Sequence, residues 1–315
     1  MTEKPFVSVV IETVTARYDS DSATGSLATD LAPPLAGLQR QTYPHDRFEA
    51  IVVIDDAVGD SAAHELQQRF PFVKLVRASE TNYFSAKNAG ARAATGSIIA
   101  LLDGDCEPQP DWLDLLVSRF DEGIGVVAGC TRYSGDSLVG RTFSVPDFAS
   151  VACEADGSAS GILVNNVAFR REVFLTHPLD ERIRRNGGCY LLYHQLRADQ
   201  VKMVYEPRAR AAHGLDIGGL GFVRKHFDRG FDSVGVYRCD DRGVLRGTSL
   251  YRRIGGLALF PITVRRIALD WMRLVRKRRQ IGISPLAVPY YAAVTLGTRL
   301  IELAGGLTAG VSRRS

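Results

Sequence analysis

The sequence of 315 residues predicts an α/β fold in which a parallel β-sheet is covered by helices. Short apolar runs rich in β-branched residues alternate with longer amphipathic segments between residues 6 and 129, which is typical of βαβ units with right-handed crossovers. Three of these apolar runs end in acidic or hydroxyl side chains. The chain is 45% apolar and 23% charged, so it has an ordinary globular composition with enough apolar mass for a core.

The strands are predicted where continuous apolar runs suit a strand that is buried on both faces. They cover residues 6–11, 50–54, 73–77, 98–102, 124–129 and 201–206. Helices are predicted at residues 35–41, 61–70 and 82–95 and from Pro110 onward, and a polar loop is predicted at residues 17–35. We expect Asp60 to cap the second helix and Gly96 to end the third.

The most informative stretch is residues 97–112, S-I-I-A-L-L-D-G-D-C-E-P-Q-P-D-W, in which a buried strand delivers Asp103 and Asp105 to its C-terminal tip. Open α/β sheets bind ligands in the crevice beyond such strand ends. Two aspartates separated by a glycine suit a hard divalent cation, although Asp-Gly is also common turn chemistry. The polar residues at the other strand tips are Glu12, Thr13, Asp55 and Asp56. If these strands are neighbours, the tips converge on one ligand site.

Charge is unevenly distributed along the chain. The net charge is +4, but residues 242–315 hold 14 Lys/Arg and 2 Asp/Glu, which gives 14 − 2 = +12 and leaves −8 for the remainder. Such a basic tail is expected to meet something anionic. Five scattered cysteines without a CxxC pair predict free thiols in a reducing compartment, and the polar N-terminus shows no signal peptide.

Four motifs resemble those of the family 2 glycosyltransferases in order and spacing. They are V-S-V-V-I-E-T at residues 7–13, I-V-V-I-D-D at 51–56, N-Y-F-S-A-K-N-A-G-A-R-A-A-T-G at 82–96 and I-I-A-L-L-D-G-D-C-E-P-Q-P-D-W-L at 98–113. The resemblance covers residues 7–116 and continues more loosely to His213. It implies a GT-A type nucleotide-sugar-binding sheet flanked by helices, a UDP-, GDP- or dTDP-sugar donor and a Mg²⁺ or Mn²⁺ ion.

The resemblance also implies roles for individual residues. Asp103 and Asp105 match the motif that holds the metal and the diphosphate. The residues matched to nucleotide binding are Glu12, Thr13, Asp55 or Asp56, Lys87 and Asn88. Asn165 and Asn166 match a segment that lines the acceptor side. His213 stands at a spacing that the family often shows, and a structural histidine and a metal or diphosphate contact are both open there.

Two departures from the family pattern are visible. The family usually has Pro at the position of Glu12, and a short segment where this chain has residues 15–30. More seriously, the acidic pair that supplies the acceptor-side base in the family falls on Gly188 and Cys189. Inverting transfer needs a proton acceptor. The substitute candidates are Asp180, Glu181 and His194, each of which also suits a plain structural role.

The C-terminal part predicts a helical, membrane-associating region at residues 242–315, after a transferase domain at residues 1–241. A basic cluster at residues 273–279 precedes 19 uncharged residues at 280–298 that contain two prolines, so apolar helices lying in the membrane interface are favoured over a clean span. A helical subdomain packed on the core is the alternative. In the preceding amphipathic segment, residues 221–238, Arg224, Lys225 and Arg229 suit diphosphate, lipid headgroups or plain solvent.

These observations predict an inverting glycosyltransferase that moves a sugar from a nucleoside-diphosphate donor to a lipid-linked or polysaccharide cell-envelope acceptor. We expect it on the cytoplasmic face of the membrane as a peripheral or monotopic protein, and we expect no nucleic-acid partner. The missing acidic pair leaves open a catalytically silent nucleotide-sugar-binding relative. A nucleotidyltransferase is a third possibility, although no Gly-rich basic loop follows the first strand.

Overall fold

The computed structural model describes residues 3–15, 26–79, 82–121, 123–134, 138–148, 151–214 and 219–311. An eight-stranded sheet forms its centre, with the order β3-β2-β1-β4-β7-β6-β8-β5. The strands are β1 (Val7–Glu12), β2 (Phe48–Asp55), β3 (Val73–Ala78), β4 (Ile98–Leu102), β5 (Cys106–Pro108), β6 (Ile124–Tyr133), β7 (Asn166–Arg170) and β8 (Lys202–His213). The predicted α/β sheet flanked by helices is therefore confirmed.

Helices cover both faces of the sheet. They are α1 (Leu27–Asp30), α2 (Ala32–Gln39), α3 (Asp60–Arg69), α4 (Tyr83–Ala93), α5 (Trp112–Val117), α6 (Leu138–Phe148), α7 (Arg171–Thr176), α8 (Gly188–Ala198), α9 (Gly219–Cys239), α10 (Thr248–Ile254), α11 (Leu259–Arg276), α12 (Arg278–Ile281) and α13 (Val288–Val311). Side chains of β1 alternate between two cores, with Val9 in one and Val10 in the other. The loop predicted at residues 17–35 lies partly outside the described residues, and α1 and α2 occupy its end.

The expectation of an entirely parallel sheet is wrong. β1, β2, β3 and β4 are parallel as predicted, but β7 runs antiparallel to both β4 and β6, with Leu102 paired to Asn166. The chain thus enters β7 at the edge where β4 ends. This reversal places the Asn165–Asn166 pair beside the tip of β4.

A side-chain cap fixes the start of α4, whereas α3 lacks the cap predicted for it. Asn82 begins α4 with a capping box, since its side chain accepts from the backbone N–H of Ser85 while the Ser85 hydroxyl accepts from the N–H of Asn82. The prediction that Asp60 caps α3 is wrong. Gly59 is the N-cap and Asp60 is the first helical residue, and the Asp60 carboxylate pairs with Arg77 of β3 at 2.6 Å.

The C-terminal helices form a layer in which α13 packs closely on α9. A Cβ added to Gly230 of α9 would lie 1.9 Å from the carbonyl oxygen of Glu302, and one added to Gly305 of α13 would lie 2.0 Å from that of Phe227. Among the described residues, no helix has both the length and the apolar character needed to cross a membrane. Because this packing joins the two predicted regions, the boundary at residue 242 stays a prediction.

The close approach of α9 and α13 predicts unequal effects of alanine at two glycines of α9. Gly230→Ala should lower the free energy of unfolding by about 1–3 kcal/mol or more, because the new methyl group meets the α13 backbone. Gly235→Ala, which meets nothing within 4 Å, should instead be neutral or stabilise by up to about 1 kcal/mol. Urea unfolding measures both, and equal midpoints for the two variants would contradict the packing.

Candidate active site

The site is organised around a buried ion pair at the tip of β4. The Lys87 ammonium lies 2.6 Å from Asp103 Oδ1 and 3.3 Å from the Leu102 carbonyl oxygen, and the Lys87 side chain is fully buried. The Tyr83 hydroxyl lies 2.8 Å and 2.9 Å from the two Asp103 carboxylate oxygens. Burial alone would lower the pKa of Lys87, but the Asp103 and Glu12 carboxylates outweigh it and raise the pKa. Lys87 therefore stays charged and fixes the Asp103 carboxylate in place.

The second aspartate meets a histidine that arrives from β8. Cys106 pairs with His213 in the β5–β8 ladder, which places His213 Nε2 3.4 Å from Asp105 Oδ2. His213 Nδ1 lies 2.9 Å from the Gly214 carbonyl oxygen, so this nitrogen donates and Nε2 faces Asp105. Asp105 Oδ1 is buried and meets no hydrogen-bond donor among the described residues, and burial raises the pKa of Asp105.

These side chains fit a divalent cation. Ligand atoms of Asp103, Asp105, Cys106 and His213 lie within 4.8 Å of one another. Two carboxylates and an imidazole suit Mn²⁺ or Mg²⁺, and the orphaned Asp105 oxygen lacks only a positively charged partner. Cys106 does not fit, since burial raises the pKa of its thiol well above the usual value. His213, which the sequence left between two roles, thus lies among the potential ligands.

Glu12 and Thr13 lie beneath the site rather than on its surface. Glu12 is fully buried and accepts from the backbone N–H and the hydroxyl of Thr15 at 3.0 Å and 2.6 Å. The Gly104 N–H in turn donates to the Thr15 hydroxyl at 3.2 Å, so Glu12 positions the loop between the two aspartates. The Thr13 hydroxyl donates to the Val53 carbonyl at 3.1 Å. Of this segment, Val14 and Thr15 line the cavity.

The other residues matched to nucleotide binding lie in different settings. Asp55 is at the tip of β2, where its carboxylate accepts from the Ala57 N–H at 2.8 Å, and Asp56 is exposed. Asn88 holds a distant loop instead, because its amide group exchanges hydrogen bonds with the Leu179 backbone. The Asn88 side chain therefore holds that loop in this fold, and neither Asp55 nor Asp56 lines the large cavity.

Two of the three candidate bases are turned away from the site. Asp180 pairs with Arg182 at 2.6 Å, and Glu181 accepts from Asn88 at 2.9 Å. Neither lines the large cavity. His194 does line it, but its ring contacts those of Tyr190 and Tyr193 at 4.5 Å and 5.3 Å, and burial lowers its pKa. Of the three, only His194 lines the cavity, and its ring is packed against two tyrosines.

The cavity extends from the aspartate motif to the C-terminal helices and has a volume of about 2770 Å³. Its apolar lining comes from both parts of the chain and includes Val151, Ile162, Leu250 and Ile262. The C-terminal region contributes several basic side chains to the lining. They include Arg246, Arg265, Arg266, Arg273 and Arg299. A pocket of this size and charge suits a large amphipathic ligand with an anionic group.

A second buried ionic cluster, which the sequence did not reveal, ties α9 to the site. Asp147 is fully shielded and lies 2.7 Å from Arg229, 3.1 Å from Lys225 and 3.3 Å from His226. Burial opposes ionisation, but Arg229 and Lys225 hold the pKa of Asp147 well below its usual range. The Tyr133 hydroxyl donates to the same carboxylate, and its ring lies 5.2 Å from that of His213. Lys225 and Arg229 are thus engaged internally, whereas Arg224 is exposed.

The geometry predicts that Asp105 and His213 bind Mn²⁺ directly. Asp105→Ala or His213→Ala should weaken Mn²⁺ binding at least about tenfold, or ~1.4 kcal/mol, because each removes one potential ligand. Glu107→Ala removes an exposed carboxylate two residues away that pairs with Arg40, and it should leave binding unchanged. Isothermal titration calorimetry measures all three. Equal affinities for the Asp105 variant and the Glu107 control would overturn the assignment.

The sequence matches known glycosyltransferases. A family model described as glycosyl transferase family 2 matches residues 28–175. The chain is 29% identical to glycosyltransferase AglE of Haloferax volcanii over 41% of this chain and 40% of that protein. It is 24% identical to a glucosyl-dolichyl phosphate glucuronosyltransferase of the same organism, over 66% of this chain and 69% of that protein. It is 27% identical to succinoglycan biosynthesis protein ExoO of Rhizobium meliloti, over 73% and 64%.

Solved structures share the fold. A mannosyltransferase from Pyrobaculum calidifontis in complex with GDP-Man and Mn²⁺ matches with a TM-score of 0.61 and 17% identity, over 99% of this chain and 89% of that chain. GalNAc-T7 with UDP, GalNAc and Mn²⁺ matches with a TM-score of 0.54 and 16% identity, over 70% and 45%. These matches confirm the GT-A fold expected from the motifs. Residues 28–175 thus resemble glycosyl transferase family 2, in agreement with the strand-tip motifs.

Proposed function

We propose that this protein is an active, inverting glycosyltransferase that moves a sugar from a nucleoside-diphosphate donor to a lipid-linked or polysaccharide acceptor of the cell envelope. The observation that carries the proposal is the meeting of Asp103, Asp105 and His213 at the mouth of the large cavity. Solved structures of the same fold contain GDP-Man or UDP together with Mn²⁺. The silent-relative alternative loses its main support if a base exists elsewhere in the cavity.

The site supports departure of a charged leaving group. Asp105 and His213, with Asp103 beside them, are the residues that would hold Mg²⁺ or Mn²⁺. A bound divalent cation supplies positive charge against the diphosphate as its bond to the sugar breaks. Hydrogen bonds from Lys87 and Tyr83 fix the direction of the Asp103 carboxylate, so the site needs little reorganisation during the reaction. The β2 tip, with Asp55 and Asp56, lies on the side where the nucleoside would bind.

An acceptor with an anionic group and an apolar part fits the other end of the cavity. Arginines there can bind phosphate in a bidentate manner, and apolar side chains of α10 and α11 lie between them. Among the related proteins, one is named for a dolichyl phosphate substrate and another for succinoglycan biosynthesis. We favour the lipid-linked class because it combines phosphate with apolar chain.

Helix α11 supports attachment to a membrane surface. It exposes an apolar stripe at helical spacing, formed by Leu257 just before the helix and by Phe260, Val264, Trp271 and Val275. Exposed arginines flank this stripe at positions 252, 253, 265, 276 and 279. Apolar side chains next to arginines suit the interface of an anionic bilayer. We therefore propose peripheral or monotopic binding, on the cytoplasmic face where donors are made.

The proposed reaction predicts metal-dependent release of nucleoside diphosphate. UDP-, GDP- and dTDP-sugars are screened with the purified protein, with and without Mn²⁺ and with phosphorylated prenyl lipids as acceptors. Asp105→Ala should reduce release about 10²-fold or more, because charge stabilisation at the leaving group is lost. Glu107→Ala serves as the control. Donor binding without release under any condition would favour the silent relative, and no donor binding would reject the nucleotide-sugar proposal.

The proposed membrane contact predicts a selective loss of lipid binding. Val264→Glu and Val275→Glu replace side chains that are 66% and 58% exposed on the stripe, so they should reduce sedimentation with anionic vesicles about fivefold or more. Phe72→Glu, which changes an exposed apolar residue between α3 and β3, should have no effect. Binding should also weaken with added salt and on neutral vesicles. Equal binding by all variants would exclude the α11 stripe as the lipid contact.

A further inference from the structure

We propose that Asp232 of α9 is the general base that accepts the proton of the acceptor hydroxyl, the task that the acidic pair performs in the resembling family. The inference rests on the transferase activity proposed above and extends it to a residue outside the matched family segment. Asp232 belongs to none of the four motifs that resemble the family. Only the fold, which places α9 at the cavity, shows that its carboxylate lies near the site.

The first position of the matched acidic pair, Gly188, has no room for a carboxylate in this structure, and neither has Gly187 just before the pair. Gly187 has φ +94°, and a Cβ there would lie 2.2 Å from Val236 of α9. A Cβ on Gly188 would lie 2.5 Å from the ring of Phe84. Burial raises the pKa of the Cys189 thiol, so the remaining residue of the segment stays protonated at neutral pH. The space of the missing side chains is filled by two apolar neighbours.

Asp232 lies beside this same segment. The Asn186 side-chain amide donates to Asp232 Oδ2 at 2.8 Å. Val236, which fills the space above Gly187, lies one helical turn after Asp232 on the same face of α9. Asp232 is half-buried and lines the cavity that also contains Asp103 and Asp105. This chain thus has a carboxylate on α9 beside the turn where the resembling family has its acidic pair, and Asp232 lines the same cavity as the aspartate motif.

The segment and α9 both face the aspartate motif. The Cys189 thiol is close enough to Asp103 for that carboxylate to raise its pKa. Burial lowers the pKa of Arg185, which also lines the cavity, while the Glu12 and Asp232 carboxylates partly oppose this shift. Asp232 and the two aspartates of the motif line one cavity, in which an acceptor hydroxyl would meet the donor sugar.

The surroundings of Asp232 suit a base. Burial raises its pKa and Asp228 adds to the rise, while Asn186, Arg184 and Arg185 partly offset it. The net direction is upward from the ordinary value, towards the working pH, where a carboxylate is a better proton acceptor. The group must be deprotonated to act, so transfer should increase as pH rises through this raised pKa.

Most other carboxylates of the cavity are already paired. Asp147 binds Arg229 and Lys225, and Asp270 lies 2.8 Å from Arg299. Glu154 lies 2.7 Å from Lys277, and Asp156 is exposed, unlike the half-buried Asp232. Asp228, one turn before Asp232, is exposed and provides a matched control on the same helix.

The step balances as a single displacement. The acceptor oxygen forms a bond to the anomeric carbon from the face opposite the diphosphate and gives its proton to an Asp232 oxygen. The bond from the anomeric carbon to the diphosphate oxygen breaks, and the nucleoside diphosphate leaves with the electron pair. The configuration at that carbon inverts. No oxidant or further reactant is needed.

The test compares Asp232→Asn with Asp228→Asn and wild type. It uses the UDP-, GDP- and dTDP-sugar donors with Mn²⁺ and phosphorylated prenyl lipid or oligosaccharide acceptors. Asp232→Asn should lower acceptor-dependent release of nucleoside diphosphate about 10²- to 10⁴-fold while donor affinity and melting temperature stay unchanged. Asp228→Asn should stay within about threefold of wild type, and Asp232→Glu should recover part of the rate because it keeps a carboxylate.

The outcomes separate the two proposals. Wild type without acceptor-dependent release from any donor would overturn the proposed transfer, and the base assignment with it. An active wild type with an Asp232→Asn variant that transfers equally well would overturn the base assignment alone. An equal loss in Asp228→Asn would also overturn it, since the effect would then reflect the charge of α9. If Asp232→Asn fails to fold, Asp232→Ser provides the same comparison.

Discussion

The buried ion pair between Lys87 and Asp103 is the interaction on which the rest of the site depends. Tyr83 and Lys87 stand four residues apart on α4, so both side chains reach the same carboxylate. The Asn82 capping box fixes where this helix starts, and hence how far these groups project towards β4. Breaking such a pair by removing one partner typically costs about 3–5 kcal/mol, because a charge is left buried alone. The arrangement is therefore rigid before any donor binds.

Part of this site could be predicted from sequence because its signals are local. A continuous apolar run that stops at Asp103 predicts both the strand and the direction of its tip, and the motifs at residues 7–13 and 51–56 predict β1 beside it and β2 beyond β1. The antiparallel direction of β7 could not be predicted, since the sequence of a five-residue strand does not indicate whether it pairs parallel or antiparallel. The meeting of Asp105 with His213 depends on the pairing of Cys106 with His213, which no local pattern encodes. The complete burial of Lys87 could not be predicted either. Helical spacing shows which residues share a face of the helix, but not whether that face is buried.

Part of the positive charge of the C-terminal region is paired inside the fold, which the sequence did not indicate. Its excess of positive charge suggested an anionic partner, yet part of that charge is used internally. Arg299 lies 2.6 Å from Glu302 and 2.8 Å from Asp270, and His226 joins Glu302 to Asp147 of the catalytic part. The arginines that remain exposed beside the α11 stripe are the ones available to a lipid surface. The tail therefore both completes the cavity and leaves a charged outer face.

The loss of the acidic pair goes together with the packing of the residues around it. Phe84 and Val236 can pack where they do only because residues 187 and 188 lack side chains, and these two contacts bring α4 and α9 against the same turn. A carboxylate restored at Gly188 would displace Phe84, which precedes Lys87 by one turn and packs edge-on against the Tyr83 ring at 5.0 Å. It would thus disturb the groups that hold Asp103. A base carried by α9 avoids this conflict, because Asp232 reaches the turn from the opposite side through Asn186.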